Sequence, residues 1–199
     1  MRRPALILAG ATLATAALVA STLVAAQPPA AAETGTMAKF TLTSTDLTDG
    51  GRIADAHVFN QFGCTGGNVS PALSWSGAPA GTQSFALLMH DPDAPTGSGW
   101  WHWVVYNIPA NTTSLPAGAG DPKKKLMPAG AVQGRTDYGS IGYGGPCPPP
   151  GNPHHYHVHL YALKVPKLDL PADASAAMVG FNVRAQALGH AEIVALYGR

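Results

Sequence analysis

The sequence predicts a mostly antiparallel β fold with one helix packed on it. Three observations lead there. Gly (23) and Pro (18) are abundant while charged residues are only 12% of the 199-residue chain, a composition of many turns and short strands. Apolar runs of strand length recur from Lys39 onward. One late segment alone carries apolar residues at convincing helical spacing.

Taken in order, Phe40 and Leu42 alternate with Lys39, Thr41 and Thr43, as in a half-buried strand. Residues 53–59 are a weaker strand candidate, and 62–71 (FGCTGGNVSP) are a loop by composition. Residues 73–76 and 85–89 read as strands, the second apolar on both faces and therefore central. Residues 102–108 form another, 109–137 a Gly/Pro-rich loop with short strand pieces, and 156–165 a further strand. The helix spans 173–188, with Ala174, Ala177, Met178, Phe181, Ala185 and Leu188 on one face, Asp173 as N-cap and Gly189 as stop. Residues 191–197 close the chain as a strand. No internal repeat and no compositional break divides 38–199, which reads as one domain.

The N-terminus has a different character. A basic Met1-Arg2-Arg3 precedes an almost wholly apolar run to Ala26 that ends in Val24-Ala25-Ala26, the layout of a cleaved secretory signal peptide over 1–26. Uncleaved, residues 4–26 are long enough to anchor the chain in a bilayer. Residues 27–37 then form a flexible leader. An exported, periplasmic or secreted protein is expected. Removing 26 of 199 residues leaves 173, enough for one good-sized core, and takes away Arg2 and Arg3, so the formal charge falls from +1 to −1. A near-neutral surface has no global field for nucleic acid. Cys64 and Cys147 both lie in Gly/Pro-rich loops. In an exported chain they can pair, but the sequence leaves open a bridge or two separate thiols.

Three separated stretches place ionisable groups beside prolines and glycines at the ends of apolar runs: 91–95 (DPDAP), 99–103 (GWWHW) and 148–156 (PPPGNPHHY). Such junctions hold backbone shape tightly and suit a binding site. Asp91 and Asp93 lie too close to ionise together without donors, a metal or a raised pKa; read alone, both can cap the turn backbone, or one can hold the turn while the other faces a cavity. His102, between Trp101 and Trp103, is partly desolvated and favours its neutral form. In the run 154–159, His155, His157 and His159 share one face of a strand. Adjacent same-face residues are about 6–7 Å apart, so one ion would need a bulge to take all three, and no metal is expected. Hydrolase, zincin and phosphate-loop motifs are absent.

The stretches 68–75 (NVSPALSW), 91–95, 99–104 and 142–149 (GYGGPCPP), with His154-x-Tyr156 and the late helix, together resemble the phosphatidylethanolamine-binding protein family, in its bacterial Raf kinase inhibitor-like, YbhB/YbcL-type branch. The resemblance covers about Phe40 to the C-terminus. It implies two antiparallel β-sheets with a small helical part and a shallow anion pocket. The ligand-binding residues it implies are Asp91, His102, His154 and Tyr156, with Gly145, Pro148 and Pro149 as the rim and Asp93 and Trp101 in support. His155 stands where similar proteins have Arg, which puts charge pairing beside the pocket in question. The implied protein is a binding module without catalytic activity or cofactor. Its expected ligand is a small anion or phospholipid headgroup, held more tightly below about pH 6.5 by histidine donors. A protein-directed inhibitor and an Asp/His-dependent hydrolase are the rival readings, and a homodimer is expected from bacterial relatives.

Overall fold

A computed structural model describes residues 39–199, so the expected signal segment 1–26 and leader 27–37 lie outside the described residues. The described residues form eight strands: β1 (Thr41–Thr43), β2 (Leu73–Ser76), β3 (Ser84–Asp91), β4 (Trp100–Pro109), β5 (Ser114–Leu115), β6 (Val132–Gln133), β7 (His154–Leu163) and β8 (Ala187–Tyr197). Among them one α-helix, α1 (Ala176–Gln186), precedes β8. A three-stranded sheet, β1-β2-β5, faces a five-stranded sheet, β6-β4-β3-β7-β8, and every strand pair within them is antiparallel. The expected class therefore holds, and β3 is the central strand. Among the described residues, no helix is long and apolar enough to cross a membrane.

The central strands β3 and β4 of the five-stranded sheet are buried on both faces, and the alternation of side chains sorts them between two cores. From β3, Phe85, Leu87 and Met89 join Trp103, Tyr156 and Trp75 between the sheets, whereas Ala86 and Leu88 join Trp101, Tyr161, Val179 and Val183 under α1. Fully buried side chains of this size each contribute about 1.5–3 kcal/mol through desolvation.

The helix departs from the sequence reading in three ways. Ser175, not Asp173, caps it by accepting from the Met178 backbone N–H at 3.2 Å. Its buried face is Ala176, Val179, Gly180 and Val183, while Met178, Phe181 and Leu188 are exposed. The segment is apolar nearly all round, so periodicity did not single out a face. Contact decided it: Gly180 lets the helix approach the Trp101 ring and Leu88. Nor does Gly189 stop the helix, which ends at Gln186 and turns directly into β8 at Ala187. Residues 53–59 also fail as a strand. Asp55–His57 form a 3₁₀ turn, and only Arg52 makes an isolated bridge, to Leu196.

Pairing between β3 and β4 contains the irregularity that matters most. Met89 faces Trp103 and His90 faces Trp101, so β4 advances two residues while β3 advances one. His102 is the extra residue of a β-bulge, a device that re-aims a side chain. Trp101 consequently packs under α1 while Trp103 enters the core between the sheets.

Candidate functional site

The C-terminal end of β3, the bulge of β4 and the first residues of β7 meet at one edge of the large sheet. There they form the inner wall of a cleft of about 220 Å³, lined by Asp91, His102, His154 and Tyr156 and closed by Trp100, Tyr138, Phe62, Pro148 and Pro149. Asp91, the last residue of β3, is buried. Its Oδ1 accepts from the backbone N–H groups of Asp93 (2.9 Å) and Ala94 (3.1 Å), which folds the 91–95 turn back on itself. Its Oδ2 accepts from His154 Nδ1 at 2.8 Å. One carboxylate thus performs both tasks that one sequence reading divided between two. Asp93 points the other way and braces the turn against β7, accepting from the His155 N–H (2.8 Å) and Nδ1 (2.7 Å). The His155 hydrogen bonds hold the Asp93 carboxyl below its usual value. Histidine in place of arginine therefore still supplies Asp93 with a side-chain hydrogen-bond donor beside the pocket.

His102 is buried and donates from Nδ1 to the Gly144 carbonyl at 2.7 Å. Burial pushes its pKa down to about 4, so the ring is neutral near pH 7. With the proton on Nδ1, Nε2 is a lone-pair acceptor, and it has no partner. The outward nitrogen of His102 is thus an acceptor, where the resemblance implied a donor to an anion. The Tyr156 hydroxyl is likewise buried and makes no hydrogen bond of normal geometry, although the Asp91 carboxylate lies near enough to act on it. Burial and the Asp91 charge push it above the ordinary tyrosine range, so it is a donor throughout the physiological range.

Gly145 lies behind the rim rather than on it. Its N–H donates to Asn68 Oδ1 at 2.8 Å and its carbonyl accepts from the Tyr138 hydroxyl at 2.8 Å. A Cβ there would stand 2.1 Å from the His57 carbonyl oxygen, so the close approach requires glycine. Trp101 does not line the cleft, because the bulge leaves it on the helix side. Trp100 takes the place next to the ligand space.

Sequence reasoning missed Trp100, Tyr138 and Phe62. Trp100 stood in a recognised motif, but its neighbour was preferred. Tyr138 sits in a loop without periodicity and reaches the cleft by stacking on Phe59, centroids 4.1 Å apart. Phe62 carries the one available signal, visible only in structure: a bulky residue with φ of 55°, a conformation held at some cost. Cys64 and Cys147 do form a disulfide, across 83 residues of sequence. It ties the loop bearing Phe62 to the Pro148-Pro149 rim, so it joins two walls of the same cleft.

The histidine run divides. His155 leaves for Asp93, while His157 and His159 meet Glu192 of β8, their Nδ1 atoms 2.7 and 3.1 Å from Glu192 Oε1. The three-histidine set of the sequence reading is not assembled, because the register of β8 sets the neighbours.

The fold and this cleft define a two-sheet β domain with a buried Asp–His pair at the edge of its large sheet. The chain belongs to the phosphatidylethanolamine-binding protein family, whose model matches residues 43–198. It is 51% identical over 161 residues to UPF0098 protein YbcL of Escherichia coli, covering 80% of this chain and 88% of that one. UPF0098 protein YbhB of the same organism is 50% identical over 156 residues, 78% of this chain and 98% of that one. The crystal structure of YbcL superposes with a TM-score of 0.79 at 50% identity, covering 81% of this chain and 99% of that chain. LppC of Mycobacterium tuberculosis, which carries a lipoprotein name, is 36% identical over 179 residues, 89% of this chain and 79% of that one.

Proposed function

We propose that this protein is an exported, non-enzymatic binding protein whose cleft takes a small phosphorylated headgroup. One observation carries the reading: two buried polar atoms of opposite kind, the Tyr156 hydroxyl donor and the His102 Nε2 acceptor, stand unpartnered in the inner wall beside the Asp91–His154 pair. An unpartnered buried group costs about 1–3 kcal/mol, which a bound molecule can recover. A phosphate oxygen accepts from Tyr156 and, in the imidazolium form of the ring, from His154 Nε2, since Nδ1–H is held by Asp91, while a protonated ligand group donates to His102 Nε2. Among the described residues, no lysine or arginine lines the cleft, and Asp91 brings a negative charge. The site therefore suits a zwitterion such as phosphoethanolamine better than a bare phosphate dianion. Aromatic and proline walls supply apolar contact around it.

Export is supported by the signal-like segment 1–26, by the Cys64–Cys147 disulfide, which belongs in an oxidising compartment, and by the lipoprotein name of the mycobacterial relative. The Asp91–His154 pair also has the geometry of a general base, which is the strongest argument for the hydrolase rival. Among the described residues that reading lacks a side-chain nucleophile: Thr96, the one hydroxyl residue they place in the cleft besides the tyrosines, is engaged with the Gly99 carbonyl.

Calorimetric titration with phosphoethanolamine and with inorganic phosphate tests the proposal. Saturable binding is expected for both, tighter for phosphoethanolamine, and at least about tenfold weaker in His154→Ala, the loss of a charge-assisted hydrogen bond. Absence of saturable heat at millimolar ligand overturns it, and release of inorganic phosphate by the wild type alone favours the hydrolase.

A further inference from the structure

On the helix side of the large sheet, away from the cleft, β7 and β8 bring four ligand-type side chains together. His159 and Glu192 are direct cross-strand partners, and His157 and His190 flank them on the same face. His157 Nδ1 lies 2.7 Å and His159 Nδ1 3.1 Å from Glu192 Oε1, and His159 Nδ1 lies 2.9 Å from His190 Nε2. The ligand atoms of His157, His159 and Glu192 all fall within 4.8 Å of one another. In the hydrogen-bond pattern these four converging atoms bond only to each other.

We propose that His157, His159, His190 and Glu192 form a binding site for a divalent transition metal of the zinc and copper class. Three imidazole nitrogens and one carboxylate oxygen are the donor set that such borderline ions prefer over magnesium or calcium. A tetrahedral zinc ion with bonds of about 2.0–2.1 Å needs its donors about 3.3 Å apart. The three closest separations are a few tenths of an ångström shorter and the other within the His157, His159 and Glu192 set is at most 4.8 Å, so side-chain rotations rather than backbone movement bring the donors to that spacing. Two histidines sit at i and i+2 on one strand, too far apart to close a site unaided. Glu192 and His190, from the neighbouring strand, bridge that gap.

Metal binding at the Nδ1 atoms of His157 and His159 asks only that each neutral ring carry its proton on Nε2. Arg184, in the last turn of α1, is the cation that opposes a bound ion, and Glu192 supplies the opposing negative charge. The side chains of His157 and Glu192 are about a third exposed, which leaves an entry path.

The test is a chelator-competition titration of the untagged protein with zinc, beside the absorption spectrum of the Co²⁺ form. One zinc per chain is expected, with Glu192→Gln and His159→Asn each weakening it at least about tenfold. The Co²⁺ spectrum should show the intense visible bands of four-coordination and lose them in His190→Asn. His155→Ala is the control for nonspecific capture by the histidine run, and its affinity should match the wild type. Equal losses in His155→Ala, undiminished zinc binding in Glu192→Gln and His159→Asn, or no stoichiometric binding at micromolar zinc each overturn the site. Glu192→Gln preserves size and hydrogen bonding, so a loss there with an unchanged melting temperature reports the metal rather than the fold.

Discussion

His154 Nδ1 lies 2.8 Å from Asp91 Oδ2, joining the first residue of β7 to the last residue of β3. The two strands pair along their length, but their ladder ends at His90 and His157. The side chains therefore continue where the backbone pairing stops, and the cleft opens in the gap. The residues beside this pair keep hydrogen-bonding capacity that the fold itself does not use.

Tyr156→Phe tests that idea most directly. The hydroxyl is buried and unpartnered, so deleting it removes a desolvation cost. We expect unchanged stability or a gain of up to ~1 kcal/mol in urea unfolding, together with weaker phosphoethanolamine binding by about tenfold. A loss of stability above ~1 kcal/mol would show that the hydroxyl already has a structural partner.

Stability should fall with acidification through His102. Its pKa is about 4 when folded, against about 6.5 when free, so between these values the unfolded chain binds the proton that the folded chain refuses. The contribution is full above about pH 6.5, declines as pH falls, and is gone near pH 4. It amounts to ~3 kcal/mol at most. Denaturant midpoints measured from pH 7.5 to 4 should show this slope, and His102→Asn should flatten it. An equal slope in the variant would remove His102 as its source.

The disulfide should serve both fold and cleft. Replacing Cys64 and Cys147 by serine opens an 83-residue loop, and a stability loss of roughly 2–4 kcal/mol is expected. Because the bridge holds the Phe62 loop against the proline rim, ligand affinity should fall as well. Binding that survives intact under reducing conditions would show that the other contacts suffice to hold the two walls.

Two glycines should respond oppositely to alanine. At Gly180 a Cβ would meet Trp101 and Arg184 at 3.5 Å, ordinary contact, and glycine is costly in a helix interior, so Gly180→Ala should stabilise by about 0.5–1 kcal/mol. At Gly145 the His57 carbonyl leaves no room, and Gly145→Ala should destabilise by more than ~2 kcal/mol. Thermal melts of both variants check the contrast.

Local pattern alone determined most of the strand framework. The alternation at Phe40 and Leu42, the doubly buried run 85–89 and the turn-forming DPDAP stretch each dictate their structure through neighbours close in sequence. Asp91, His154 and Tyr156 were legible for a related reason: they sit where such patterns end, and the family resemblance assigned them to one pocket. What only the tertiary structure decided depends on contacts between distant segments. The bulge at His102 is a mismatch between two strands, so neither strand alone announces it, and it exchanges Trp101 for Trp100 at the cleft. The buried face of α1 was hidden because apolar residues surround it, leaving the choice to Trp101 and Leu88 beneath. The register of β8 directs His157 and His159 to Glu192, while the Asp93 turn takes His155. Periodicity reports which residues avoid water, whereas pairing across 30 or more residues decides what each one meets instead.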